Sequence, residues 1–176
     1  MKHRRFFYMF LSVLLAPSAW AGQQDFKVGP VIKEYGNVAA VPSAPPIDAS
    51  ARFQVAFDVA TAAEPGKINR QLESAARFIN MHVAAGVPKE NLKLAIVVHG
   101  GAASDLTRDA KFGSANPNAG LIAALQEAGV SIQLCGQTAV ARDISVDDLL
   151  PGVTMALSAM TAHAQLQQAG YTLNPF

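Results

Sequence analysis

The chain has 176 residues, 51% of them hydrophobic, and a formal net charge of +1. Such a length supports one domain with a continuous core, and the weak charge, with no Lys/Arg cluster after the first residues, argues against nucleic acid or an anionic membrane surface as partner. Cys135 is the only cysteine, so an internal disulfide is excluded.

Residues 1–21 read as a secretory leader. Lys2, Arg4 and Arg5 precede an apolar run over 6–16, and Ala19-Trp20-Ala21 has the small-x-small form of a signal-peptidase site. The run is shorter than the roughly 20 residues that span a bilayer. Cleavage after Ala21, with no stable membrane anchor left behind, is therefore expected; an uncleaved anchor is the competing reading. Three of the 14 basic residues lie in the leader and all 13 acidic residues follow it, so the remaining chain carries a net charge of −2. Its expected location is the periplasm, if the host is a Gram-negative bacterium.

Residues 22–50 form a Pro-rich N-terminal arm or linker. Pro42, Pro45 and Pro46 remove amide donors and favour extended backbone. The segment reads as a flexible leader or an arm laid across a neighbouring subunit, and Phe26, Val28, Val31, Ile32 and Tyr35 argue against a purely solvated tail because they offer apolar surface to bury. The domain proper is expected over 51–176. Residues 52–60 read as a strand, broken by Pro65-Gly66. Ile68, Leu72, Ala75, Ala76, Ile79 and Val83 then recur at helical spacing before Gly86, a helix terminator. The nearly continuous apolar run 92–98 suits a strand covered on both faces.

The loop over 102–117 is long for a compact domain, which makes it a candidate lid or binding loop. Asn116-Pro117-Asn118 ends it, with Asn118 read as the cap of the next helix. Leu121, Ile122, Leu125 and Ala128 stripe that helix, and strands follow near 130–134 and 153–157. Ser145 and Asp148 resemble a capping box. A last helix over about 158–169 precedes a short strand at 171–173. Strands alternating with helices imply an α/β fold with helices on both faces of a parallel sheet of about five strands.

In such sheets ligands bind beyond the carboxyl ends of the strands. Asp58, His99 and Cys135 project there, and the glycines Gly100, Gly101 and Gly136 let backbone approach a ligand closely. His99 and Cys135 are expected in one crevice, since sequential strands are often neighbours. An exported protein with one cysteine keeps it buried, pairs it between chains, or uses it. Cysteine reacts as the thiolate, which a nearby helix N-terminus or a cation favours. A helix opening near Gln137 would supply the first; Arg108, Lys111 and Arg142 are the nearest cations in sequence. His82 and His163 fall on predicted helices and read as surface or interface residues. No metal-ligand spacing is present, and Gly100-Gly101 is not followed by the Lys-Ser/Thr of a phosphate loop, so neither a metal nor a cofactor is expected.

The segments FDVA, VVHGG, NPNAGLIAALQEAGVSIQLCGQTA, ISVDDLLPGV and LQQAGYTLNPF, in this order, resemble the DsrE/DsrF-like sulfur-relay family, in particular its exported branch. The resemblance implies a three-layer α/β/α domain with a five-stranded parallel sheet, assembled as a dimer, trimer or hexamer. It implies that Cys135 carries sulfur as a persulfide, with Gly136, Gln137 and Thr138 shaping its pocket and His99 beside the glycine pair. The implied partners are small sulfur species or a protein that donates or accepts sulfur. The alternative is a noncatalytic oligomeric protein that binds a small ligand around a structural Cys135. A Cys-His hydrolase is a weaker third reading, because no sequence feature orients the histidine.

Overall fold

A computed structural model describes residues 22–175, and the leader expected over 1–21 lies outside the described residues. Strand β1 (Phe53–Val59) alternates Phe53, Val55, Phe57 and Val59 with Gln54, Ala56 and Asp58. One side of the strand is therefore bulky and apolar, the other small or polar. Strand β2 (Leu92–Val98) divides its residues the same way, with Leu94, Ile96 and Val98 opposite Ala95 and Val97. Helix α1 (Arg70–Ala84) joins them and buries Leu72, Ala75, Ala76 and Ile79, the stripe legible in the sequence. Asn69 opens it by accepting the amides of Gln71 and Leu72. Gly86 follows its end with φ +94°, a backbone that residues with a Cβ rarely adopt.

After a short helix α2 (Asp109–Phe112) come α3 (Ala119–Glu127), β3 (Ser131–Cys135), α4 (Gly136–Ala141), β4 (Thr154–Ala156), α5 (Ala159–Gln168) and β5 (Thr172–Asn174). All pairings are parallel, in the order β4-β3-β2-β1-β5. From β1 to β4 the chain steps in one direction, and it then returns across the whole sheet to β5. Right-handed crossovers consequently put α1, α3 and α4 on one face and α5 on the other. The expected three-layer α/β/α architecture is present, with unequal outer layers.

The main core lies under α1 and α3. Phe57, Val59, Ile96, Val98 and Leu134 pack there against Leu72, Ile79, Leu121, Ile122 and Leu125. On the opposite face α5 rests on Ala56, Ala95 and Val97 through Ala162, all four buried. A floor of alanines lets a ten-residue helix approach the sheet closely, and it builds little apolar volume.

Three expectations are corrected. The segment 102–117 is not a lid. Gly100–Leu106 forms a 3-10 helix whose Ala102, Ala103 and Leu106 are fully buried in the core, and α2 follows it. Asn118 precedes α3 but makes no side-chain cap. Its Oδ1 accepts the Asn69 amide and its Nδ2 donates to Asn116, in a buried network with Asp105. His82 is no surface residue: it is 6% exposed, stacked on Phe78 and edge-on to Phe53.

The arm docks on its own chain. Asn80, fully buried on α1, accepts the amides of Val31 and Ile32 and donates to the carbonyls of Ile32, Tyr35 and Gly36. Ile32 thereby joins the core, while Phe26 and Val41 stay exposed. Among the described residues no helix is long and apolar enough to cross a membrane.

Candidate functional site

At the carboxyl ends of β1, β2 and β3, on the α5 face, lies a cavity of about 430 Å³. Asp58, His99, Cys135, Gln137, Ser158, Ala159, Met160, His163 and Leu173 line it. Topology explains the gathering. Strand alternation turns Asp58 and Cys135 away from the main core. His99 continues β2 in extended backbone, its amide bonded to the Val59 carbonyl. Val98 pairs with Leu134, so the next residues, His99 and Cys135, stand side by side across a strand spacing of about 4.8 Å. The returning α5 roofs them.

Cys135 ends β3 and occupies the N-cap position of α4, with no side-chain cap hydrogen bond. The residue is buried, 6% exposed. Burial pushes its pKa up. The Thr138 hydroxyl, then the backbone N–H groups of Thr138, Ala159 and Gln137, outweigh that and hold it below the ordinary thiol value. These donors come from two helices, α4 and the first residue of α5. Thr138 Oγ1 also accepts the Gly100 amide at 3.2 Å, so the hydroxyl proton is left for the sulfur. The cations suggested by sequence play no part. Arg108 donates to the Asp147 carbonyl and Lys111 pairs with Asp143, and neither these two nor Arg142 lines the cavity.

The glycines serve packing. A Cβ on Gly136 would lie 2.5 Å from the Ala156 carbonyl oxygen, so only glycine lets β4 pass this close to the sulfur-bearing turn. Gly100, with φ +56°, and Gly101 lie against the Ala60 carbonyl and do not line the cavity. Gln137 lines it and also reaches the Leu157 carbonyl through Nε2.

The residue missed in the sequence is His163. It is a site residue and not a surface one, its side chain 15% exposed, with Nε2 2.8 Å from Asp58 Oδ1. His99 Nε2 lies 3.2 and 3.3 Å from the two oxygens of the same carboxylate. An ionised carboxylate only accepts, so both imidazoles present Nε2–H to it. Asp58 thus supplies the orienting partner that no sequence feature indicated. His163 Nδ1 is buried without a hydrogen-bond partner. The one hint in the sequence was the spacing Ala159 to His163, four residues and so one helix face, directly after a capping Ser158. Among the described residues no three His, Cys, Asp or Glu side chains are grouped to hold a metal ion.

A second concavity, lined by Lys89, Glu90, Lys93 and Tyr171 among others, sits at the amino ends of the strands. It holds no nucleophile beside a base, and open α/β sheets bind ligands at the other end.

Two solved structures share the fold. A protein of unknown function from Methanobacterium thermoautotrophicum is 22% identical, with a TM-score of 0.56 over 70% of this chain and 99% of that one. The ychN protein from E. coli is also 22% identical, with a TM-score of 0.52 over 70% of this chain and 100% of its own. No curated protein matches the chain. Residues 54–175, from β1 through β5 and including the whole cavity, match the model of the DsrE/DsrF-like family, and the chain belongs to that family.

Proposed function

We propose that this protein is an exported sulfur carrier in which Cys135 accepts sulfane sulfur as a persulfide and passes it to a partner thiol. The observation that carries the reading is the sulfur's position. It ends a strand at the wall of a cavity, with a hydroxyl and three amides favouring its thiolate. Thiolate is the nucleophile of sulfur exchange, and membership of a family with sulfur-relay members supports this use. The periplasm as location rests on the leader read at residues 1–21, and a purified exported form is expected to begin at Gly22. A homo-oligomer is expected too. Leu157, Met160 and Val140, each more than 70% exposed near the cavity, support it; light scattering showing one chain alone would remove it.

The competing reading is a noncatalytic binding protein with a structural Cys135, and the burial of that residue favours it. Whole-protein mass spectrometry after incubation with polysulfide separates the two. The carrier gains 32 Da steps, the mass of sulfur atoms (about 32 Da each), which Cys135→Ser does not. A native thiol left unmodified, and labelled only after denaturation, would put the binding protein ahead.

A further inference from the structure

Sulfur transfer has a proton to place, and the Asp58 cluster lies where that proton is needed. We propose that His99 protonates the leaving thiolate when Cys135 takes sulfur from a small-molecule persulfide, and that Asp58 and His163 are positioning residues for it. This inference rests on the sulfur-carrier reading.

The step balances as follows. The Cys135 thiolate attacks the outer sulfur of R–S–SH, and a Cys135–sulfur bond forms as the S–S bond between the inner and outer sulfurs breaks. The departing RS⁻ takes the proton of the His99 imidazolium, giving the Cys135 persulfide, RSH and neutral imidazole. No oxidant or reductant enters. With S–S bonds of about 2.05 Å, the leaving sulfur lies about 4 Å beyond the Cys135 sulfur along the line of attack. The proton donor must therefore stand apart from the resting thiol rather than on it. His99 lines the same cavity one strand over, on the same face as Cys135.

The two imidazoles are not equivalent. His99 is one-third exposed in the cavity wall, so both nitrogens can be served when it is charged. His163 is 15% exposed, and its Nδ1 has no partner. A proton there would be a buried N–H with nothing to accept it, a costly state. His163 therefore presents Nε2–H to Asp58 Oδ1 and fixes the carboxylate. Asp58 in turn holds the His99 ring in one orientation through Nε2, as a carboxylate beside a catalytic histidine does. All three side chains come from separate elements, β1, the end of β2 and α5, and the arrangement forms only when α5 closes over the sheet.

The experiment follows persulfide formation by mass spectrometry, using persulfides of an alkyl thiol and of an aryl thiol. Iodoacetamide alkylation, whose leaving iodide needs no proton, reads the thiolate itself. For His99→Gln, uptake from the alkyl persulfide should fall about 10²-fold, the lower range for general acid catalysis. The defect should shrink with the aryl persulfide, whose thiolate leaves readily unprotonated. Alkylation should stay near the wild-type rate. His163→Leu should slow uptake, and His163→Gln should restore most of the loss, because the glutamine Nε2–H can still reach Asp58. If His99→Gln takes sulfur from the alkyl persulfide as fast as wild type, the inference is overturned. Equal defects with both persulfides, or a parallel loss of alkylation, also overturn it, since His99 would then act only on structure. A wild-type protein that takes no sulfur from either donor defeats instead the carrier reading beneath it.

Discussion

The two faces of the sheet are built from the same five strands and do opposite things. Under α1 and α3 lie Phe57, Leu72, Ile79, Ile96, Leu121 and Leu134, each at most 2% exposed. Under α5 lie Ala56, Ala95, Val97 and Ala162, and beyond them Asp58, His99, Cys135 and His163 around a cavity. Apolar burial stabilises in proportion to area, so the first face carries the fold. The second has little apolar volume to contribute and holds the titratable groups. Separating the tasks lets a chain place a carboxylate, two imidazoles and a thiol together without hollowing its main core.

The sharpest break of this comparison is a cavity in the first face. Phe57 is 1% exposed and meets Phe78 edge to face at 5.9 Å. Phe57→Ala should cost about 3–5 kcal/mol, the range for large aromatic truncations, read as a lower denaturant midpoint. Sulfur uptake by the fraction that remains folded should be kept. A change below about 1 kcal/mol would mean that this face is not where stability resides.

The first face was largely legible in the sequence, because its signals are periodic. The apolar stripe of α1 and the run over 92–98 declare themselves at spacings of three to four and of one. The site was legible only in part. Asp58, His99 and Cys135 follow from the rule that strands deliver ligands at their carboxyl ends. His163 does not, since it meets Asp58 across 105 positions only because α5 returns over the opposite face. Its helix is rich in alanine and shows no apolar stripe to mark an inner side. The segment 102–117 reads as a candidate lid or binding loop because of its length, yet Ala102 and Ala103 are small enough to be buried whole. His82 was misread although Phe78 sits one turn before it.

A smaller effect is expected where the two faces meet, at the buried network that closes the loops after β1 and β2. Asp105 is 2% exposed and accepts the Ala63 amide and the Asn69 Nδ2 through one oxygen. Asp105→Ala orphans those donors and should cost about 1–3 kcal/mol. Burial pushes the Asp105 pKa up, against the hydrogen bonds from Asn69 and Ala63. The folded state then holds this proton more tightly than the unfolded state. Its contribution to stability is greatest at acid pH and is lost as pH rises from the ordinary carboxyl value through the raised one. Asp105→Asn keeps an accepting oxygen and cannot titrate. Relative to wild type it should gain stability as pH rises through that window, and a pH-independent difference in unfolding free energy would refute the assignment.

The smallest effect on stability, and the cleanest on chemistry, is expected on the second face at Thr138. Its hydroxyl accepts the Gly100 amide, and it makes the largest of the contributions that favour the Cys135 thiolate. Thr138→Val preserves shape while removing both roles. The Gly100 amide loses an acceptor in a partly exposed position, so the cost should stay within about 1 kcal/mol. The thiol should change more. With the hydroxyl gone, burial acts against the remaining amides of Thr138, Ala159 and Gln137, and the Cys135 pKa must rise. At neutral pH less thiolate is present, so alkylation slows and its rate–pH curve moves to higher pH. Persulfide formation should slow in step, whichever thiol leaves, because the loss lies in the nucleophile and not in the leaving group. That pattern differs from the one expected of His99→Gln, where alkylation is kept and the leaving group decides. An alkylation curve that does not move on Thr138→Val would show that the amides alone hold the thiolate, and would leave Thr138 as packing between α4 and the turn at Gly100.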